Sequence, residues 1–520
     1  MLDLILSIFE YKLFWIHVIG LAVYYVYLKF VAFTYWQRKN VPHEKPVLIF
    51  GNILRSCLGL VSIGEDVKRN YDKFRDHPVH GIYMLSNPVL MVNDPELVRL
   101  VLVKEFSKFR DRGLYHNEKV DPLTANLFFL PGEKWKRLRS KLSPTFSSSK
   151  LKSIYPLIKE IGDELIKTVE KSIVNGNVVI EVKDLSSRYT TDTIVSMAFG
   201  FNCNTLKDPK SDFRKYGDMI VKKRPNIQLT FGMFSPELLT FLRIRLIDKV
   251  VYEFFIRVFS EMVNLRKKGN VKRDDVLNLL MQLVEKGYIG VNDEEIRKPI
   301  SEYDETDRIT LLEAYAQAFV FFFAGFETSS GTIAYALYEL ALHPEIQDRV
   351  RDEIRDLMDT SHGCSYENCV NRTKYLEMVI NETLRKHPTS PFLNRICTED
   401  CEFPSVNMNV QKGTKIMISA SGIMRNSNFY PDPDKFDPER FSQENIDSRN
   451  PYTFLPFGQG PRSCIGIRLG MIQTKIALIS LLSKFRCSPC LDTPVPLKYS
   501  PKSIVQVPDR GIPLRFERAR

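Results

Sequence analysis

Apolar positions along the chain change period several times. Leu13 to Leu28 is an apolar run broken only by His17, and it resumes after Lys29 through Trp36. That length suits one transmembrane helix with Lys29 snorkelling to the surface. Tyr24, Tyr25, Tyr27, Tyr35 and Trp36 crowd its C-terminal half, where interface aromatics sit. Pro42 and Pro46 then stiffen a short linker. Ile82 to Met84 and Val89 to Val92 flank Ser86-Asn87-Pro88, which predicts a hairpin. From Pro95 onward helical periodicity dominates, with brief strands expected near 414–420 and 503–516. Long helices are expected over 310–342, 374–386 and 465–482; Thr310 and Glu313 have capping-box spacing at the start of the first. The expectation is a mainly α fold with a smaller β-rich region: an N-terminal membrane anchor over 1–36 and one globular domain over 37–520.

Composition refines this picture little. With 44% hydrophobic and 26% charged residues the chain is of ordinary globular type. Its 520 residues can enclose a sizeable cofactor. The 9 cysteines are odd in number and irregularly spaced, unlike a secreted disulfide framework. Cys487 and Cys490 form a lone Cys-x-x-Cys pair, read as structural. A net charge of +11 suits an anionic membrane surface or an acidic protein partner. No zinc-finger, RNP-type or helix-turn-helix motif points to nucleic acid.

Asp3 and Glu10 precede the apolar run, and Arg38 and Lys39 follow it. The positive-inside tendency then places the body in the cytosol. A cleaved signal peptide would want a small-residue site after the run, and a transit peptide would be rich in Arg; neither pattern is present. On a cytosolic body the sequons at Asn371 and Asn381 carry no meaning.

The strongest chemical signal is Phe457-Gly-Gln-Gly460-Pro-Arg462-Ser-Cys464-Ile-Gly466, just before an apolar helical stretch. Glycines there allow tight turns and close backbone approach. A thiolate at a loop-to-helix junction is stabilised by converging N–H groups. Read alone, the loop equally suits a buried core cysteine. A second motif, Ala324-Gly325-Phe326-Glu327-Thr328, lies mid-helix. Glycine is unfavourable there and needs a reason; Gly325 would give a ligand room against the backbone. Glu327 and Thr328 offer a carboxylate and a hydroxyl for proton delivery. A second membrane span is the competing reading, opposed by Gln317 and Glu327. Glu382 and Arg385 share a helix face, although most such pairs are solvated surface bridges. Trp135 and Arg139 also share a face, and both can donate hydrogen bonds to a carboxylate.

Together these motifs resemble the cytochrome P-450 family. The pattern Phe-x-x-Gly-x-Arg-x-Cys-x-Gly is met at Phe457, Gly460, Arg462, Cys464 and Gly466, and the other motifs follow the family's order. The resemblance implies a haem-thiolate monooxygenase that binds haem b, with Cys464 as axial ligand to iron. It implies that Arg462, Trp135, Arg139 and Arg395, with Arg112 as a further candidate, hold the haem propionates. Phe457, Gly466 and Gly325 would shape the haem pocket. Glu327 and Thr328 would handle protons. Glu382, Arg385 and Arg440, the last in Pro438-Glu439-Arg440-Phe441, would form a structural triad. Tyr115, Phe128, Phe322, Thr389, Phe392 and Leu393 would line the substrate pocket.

Electrons would come from NADPH through a separate cytochrome reductase, since no flavin or dinucleotide fingerprint is present. Lys134, Lys136, Arg137 and Lys141 would face that acidic partner, with cytochrome b5 as a second candidate. The implied location is the endoplasmic reticulum membrane, with the body facing the cytosol and a small lipophilic molecule as substrate. Asp121-Pro-Leu-Thr-Ala-Asn-Leu-Phe128 and Phe321-Phe-Phe-Ala-Gly-Phe-Glu-Thr328 point to the insect detoxifying, microsomal members. The linker Val41-Pro-His-Glu-Lys-Pro46 departs from the proline-glycine cluster usual there. The Phe231 to Leu242 stretch suits either a membrane-dipping segment or a core face. Two other activities fit the same cofactor: a haem-thiolate isomerase or dehydratase acting on peroxides without a reductase, and a non-enzymatic membrane-tethered haem or lipid binder.

Overall fold

Helix α1 (Leu2–Tyr27) continues into a π-helical turn, Leu28–Ala32. In this computed structural model residues 2–173, 175–222, 230–233, 235–269, 275–287 and 308–519 are described. The span Tyr11–Arg38 has a mean hydropathy of 1.7 and meets the length and composition of one membrane crossing. Tyr24, Tyr25 and Tyr27 are exposed along it, as interface aromatics would be. Trp36 is not one of them. It is fully buried, its Nε1–H donates to the Ile82 carbonyl at 3.0 Å, and the Tyr83 hydroxyl lies 3.1 Å from its backbone nitrogen. The expected boundary at residue 36 therefore cuts through the body: an indole that finds a carbonyl and an apolar bed is more stable inside than at an interface.

That bed exists because Gly81 has no side chain; a Cβ there would overlap the Trp36 ring. Gly81→Ala is expected to lower body stability by about 1–3 kcal/mol, the usual penalty of overpacking. Chemical denaturation of the full chain measures it, and an unchanged midpoint would show that Trp36 is free to leave.

The predicted hairpin forms as β1 (Val79–Met84) and β2 (Asn87–Val92), antiparallel with Val79 opposite Val92. Chain segments that follow are α2 (Gly132–Leu142), α3 (Ser148–Ser172), β3 (Asn177–Glu181), α4 (Val182–Phe199), α5 (Leu311–Leu342) and α6 (Lys374–Lys386). Next come β4 (Leu393–Ile396), β5 (Cys401–Phe403), β6 (Met408–Val410), β7 (Lys415–Ile418), α7 (Ile467–Lys484), β8 (Phe485–Pro489) and β9 (Pro513–Arg518), with shorter helices between. The strands make one sheet of order β1-β2-β7-β4, a second of order β3-β9-β8 and a β5-β6 pair. The fold is mainly helical with small sheets, as expected. Of the strand expected around 503–516 only the last four residues, Pro513 to Phe516, are strand, as the start of β9; the chain before them is irregular, bridged at Tyr499 and Pro508.

Helix α5 begins as its spacing predicts. The Glu313 N–H donates to Thr310 Oγ1 at 3.1 Å, and the Thr310 N–H donates to Glu313 Oε2 at 2.7 Å. Most of the helix is buried on every side, which places it in the core of the body rather than in a membrane. Its closest partner is α4, whose face carries small hydroxyl residues; Thr190 Oγ1 donates to the Phe326 carbonyl at 2.9 Å. Gly325 belongs to this crossing. A Cβ on it would overlap Ile194 of α4, so the space the glycine leaves is taken by a side chain of the protein.

The far end of α5 is tied down by a buried polar group. Glu339 Oε1 lies 2.5 Å from His387 Nε2 and 3.0 Å from the Lys386 ammonium, and His387 Nδ1 lies 2.6 Å from the Tyr499 hydroxyl. Burial pushes the Glu339 carboxyl up, but His387 and Lys386 outweigh it and hold it at about 2. Burial also keeps His387 below its ordinary 6.5, in spite of Glu339. Both groups bind protons less readily folded than unfolded. Their stabilisation is present near neutrality and is lost as pH falls, first through His387 and then through Glu339. The melting temperature is expected to drop between about pH 7 and about pH 4. Glu339→Gln should be less stable at neutrality and should lose less on acidification.

Candidate active site

The loop before α7 is shaped by two left-handed glycines, Gly458 with φ +67° and Gly460 with φ +71°. At Gly460 a side chain would also overlap the Leu102 carbonyl oxygen. Gly466, expected to turn in the same way, has φ −99° and caps α7 instead. The Cys464 N–H donates to the Phe457 carbonyl at 2.9 Å, closing the turn that presents the sulfur. Helix α7 starts at Ile467, two residues later than the apolar pattern suggests. The Cys464 side chain has an open surface. Even so, burial pushes its thiol above the ordinary value, against the Gly466 N–H and the charges of Arg139 and Arg112. An open surface deep inside the protein is the wall of an internal cavity. On α5 Ala324 is likewise exposed in the middle of an otherwise buried helix, beside half-buried Phe323 and Thr328.

Guanidinium groups converge on this cavity. Arg462 donates to the Leu130 carbonyl at 2.8 Å and stacks on Trp135, 4.2 Å from its ring centre. Arg139 donates to the Ser463 carbonyl at 3.1 Å; Arg112 donates to the Phe128 and Arg462 carbonyls at 2.9 and 3.3 Å. Arg395 donates to the Asn394 carbonyl at 2.7 Å. Burial lowers Arg462 to about 8, Arg395 to about 9 and Arg112 to about 10, and mutual repulsion adds to each. Arg462 Nε and Nη1 and Arg395 Nε are buried with no hydrogen-bond partner in the protein. Buried donors of this kind are rare unless something else satisfies them. The nearby Asp111 carboxylate, 3.6 Å from Arg462, offsets only part of the charge. The site therefore asks for a ligand with anionic arms and an atom that binds thiolate. Haem, with two propionates and an iron, meets each demand.

Comparison with known proteins agrees with the geometry. The family profile described as Cytochrome P450 matches residues 41–514. The chain belongs to the cytochrome P450 family. It is 39% identical to Cytochrome P450 6k1 of Blattella germanica over 491 residues, covering 94% of this chain and 93% of that protein. Identity to Cytochrome P450 6a2 of Drosophila melanogaster is 39% over 507 residues, with 96% and 98% covered. Identity to Cytochrome P450 6A1 of Musca domestica is 38% over 510 residues, with 96% of each covered. The chain is thus a P450 monooxygenase, haem is its implied cofactor, and the cradle around Cys464 fits that group.

Within this P450 the acid and the alcohol of α5 part company. Thr328 is half-buried at the cavity side, its Oγ1 donating to the Ala324 carbonyl at 2.6 Å. Glu327 is buried on another face, where its Oε1 lies 3.0 Å from the Lys183 ammonium of α4. Lys183 also donates to Ser187 Oγ and Ser330 Oγ at 2.9 and 3.0 Å. Neighbouring helix residues point about 100° apart, which accounts for the separation. A lysine buried in α4 was the missed signal, since a buried ammonium requires a partner.

The pocket residues proved hardest to place from sequence. Tyr115 is fully buried, its hydroxyl donating to the Ile244 carbonyl at 2.9 Å and its N–H to the Gly232 carbonyl at 2.8 Å. It ties two loops together instead of facing a ligand. Phe322 is fully buried among Phe213, Phe255 and Phe326, and Phe392 packs under the β1-β2 sheet; both are core side chains. Phe128 is half-exposed beneath the Arg112 guanidinium. Leu393 approaches the Cys464 loop at Gly458, and Thr389 packs near Gly331 on α5. The Thr389 carbonyl accepts the Gln506 N–H at 3.0 Å, which brings half-buried Ile504 and Val505 to the same region. Val505 packs on the cluster of Phe326, Val221 and Val507. This C-terminal segment was read as strand, so its apolar tip was missed.

The expected triad is brought together. Glu382 and Arg385, neither exposed, are joined by two hydrogen bonds of 2.6 and 2.8 Å, and Arg440 Nε lies 3.5 Å from Glu382. Of the expected partner-facing cations, Lys134 pairs with Glu118 at 2.7 Å, and the Lys141 ammonium donates to the Gly287 carbonyl at 2.7 Å. The Phe231 to Leu242 stretch is mixed. Leu239 is buried, whereas Leu238, Phe241 and Leu242 are exposed; residue 234 lies outside the described residues.

Proposed function

We propose that this P450 inserts one oxygen atom from O2 into a small lipophilic substrate, of foreign origin or an endogenous lipid or hormone, the other atom leaving as water. The observation that carries the proposal is the open Cys464 sulfur inside a cradle of buried arginines with unmet donors. When bound, haem supplies dioxygen activation, and the thiolate favours O–O cleavage. Arg462, Arg395, Arg112 and Arg139 hold and orient the propionates, with Trp135 stacked behind Arg462. The Thr328 hydroxyl holds a proton at the cavity face. Glu327, whose Oε1 lies 3.0 Å from the Lys183 ammonium, is the second proton-handling group of the helix. Phe323, Ala324, Leu393, Ile504 and Val505 give the substrate an apolar surface and exclude water.

Electrons come from NADPH through a separate reductase that docks on the side of Lys134, Lys136, Arg137 and Lys141, with cytochrome b5 as a second donor. Helix α1 anchors the protein in the endoplasmic reticulum membrane, the body facing the cytosol. Reconstitution in lipid with NADPH-cytochrome reductase tests the reading. NADPH oxidation should rise with a lipophilic substrate and match oxygenated product. Conversion of a peroxide substrate with no need for reductase would instead make the protein an isomerase. Haem binding with no NADPH consumption under any substrate would make it a binder.

A further inference from the structure

Cys364 and Cys369 flank the start of the short helix Tyr366–Asn371, one residue before its cap Ser365 and at its fourth position. Residues so placed meet across the first turn, where proteins often set an apolar staple. Here both are thiols and both are buried. Tyr155 of α3 completes the cluster. Its hydroxyl lies 3.2 Å from Cys364 Sγ and donates to the Cys364 carbonyl at 2.9 Å. The hydrogen bond from Cys369 pulls the Cys364 thiol below its ordinary value, against burial, with Tyr155 and the charge of Lys159 pulling the same way. Cys369 moves in the opposite direction, raised by that same bond and by burial. One sulfur is thus favoured as thiolate while its neighbour keeps its proton, the division of labour between an attacking and a resolving thiol. Exposed Ser361 and His362 lie three and two residues before Cys364 in the chain.

We propose that Cys364 and Cys369 are a reversible oxidation site that closes to a disulfide when hydrogen peroxide reaches Cys364. The Cys364 sulfur attacks one peroxide oxygen, the O–O bond breaks, and the departing hydroxide takes the thiol proton to leave as water. Cys364 is then a sulfenic acid. The Cys369 sulfur attacks the Cys364 sulfur, the S–O bond breaks, and hydroxide leaves with the Cys369 proton as a second water. The two thiols lose two electrons in all, and the peroxide gains them. The product bridges the cap of a helix whose Cys369 carbonyl accepts the Lys475 ammonium of α7 at 3.4 Å.

The test uses the full-length protein in lipid, treated with hydrogen peroxide without NADPH, alkylated and digested with trypsin. One peptide, Asp356–Arg372, carries both cysteines and has no internal Lys or Arg. It should lose two hydrogens in mass and both alkylation sites together, and thiol reductant should restore them. Loss should run on the order of tenfold faster than at half-buried Cys490 in the same digest. In Cys369→Ser a dimedone adduct should appear on Cys364, whereas Cys364→Ser should give none on Cys369. Full alkylation of both after Cys490 has been oxidised would overturn the proposal. So would separate oxidation of the two cysteines without a bridge. The wild-type peptide alone decides between these outcomes, whether or not the variants fold. No haem chemistry is involved, so a failure here leaves the reconstitution result standing, and the reverse is also true.

Discussion

Replacing Cys464 with alanine is expected to abolish the strongly red-shifted Soret band of the reduced, carbon monoxide-bound protein. Turnover should fall by on the order of 10⁴-fold or more, as when other essential catalytic groups are removed. The argument rests on position. The sulfur projects from a turn closed by backbone, the Cys464 N–H to the Phe457 carbonyl at 2.9 Å, so alanine keeps the turn. Arg462, Arg395, Arg112 and Arg139 are held by carbonyls of other residues or of neighbouring loop positions. The variant should therefore fold within about 1 kcal/mol of wild type and still take up some haem through the arginines. A band that survives the substitution would remove Cys464 as the axial ligand and with it the proposed chemistry. Arg462→Ala gives the complementary result, with the band kept in whatever haem is bound but haem lost more readily.

Arg385→Ala is expected to cost about 3–5 kcal/mol, because it leaves the Glu382 carboxylate buried without its main partner. Domains are typically stable by only about 5–15 kcal/mol, so soluble, haem-loaded yield should collapse. The guanidinium satisfies more than its carboxylate: it also donates to the Met424 carbonyl at 3.0 Å and the Pro433 carbonyl at 2.8 Å. Glu382 in turn accepts the Asp437 N–H at 2.9 Å. These contacts fix the segment that leads toward the Cys464 loop. Arg385→Lys should rescue only part of the loss, since an ammonium cannot reproduce the planar fork. A urea midpoint for Arg385→Ala near wild type would rule out the structural role.

Helices were legible where periodicity and caps agreed. Lys374–Lys386 has the expected bounds, and Thr310 caps α5 as its spacing implies. Motifs whose members lie close in the chain were legible too, because Cys464 and Arg462 share one loop and Glu382 and Arg385 one helix turn. Contacts made across the chain were not. Which of Phe322 and Phe323 faces the core depends on where Phe213 and Phe255 pack, and Gly325 reads as room for a ligand until Ile194 is seen in that space. Glu327 and Thr328 are adjacent in sequence, yet a turn of about 100° per residue sends them to different neighbours. The apolar tip at Ile504 and Val505 was hidden for the same reason: its value comes from the Gln506 to Thr389 hydrogen bond, between residues with no local relation.

Trp36 bears on how the enzyme is handled as well as on how it folds. A soluble form trimmed at or beyond residue 36 removes an indole that fills the space above Gly81 and a donor that satisfies the Ile82 carbonyl. Such a truncation should leave a sticky surface notch and a softened sheet edge, seen as aggregation during purification. Trimming before Leu28, which is itself buried, keeps the plug. The same plug, with Leu28 and Ala32 also buried, ties the end of the apolar helix to the β1-β2 sheet, so the helix joins the body through packed side chains rather than through a free linker.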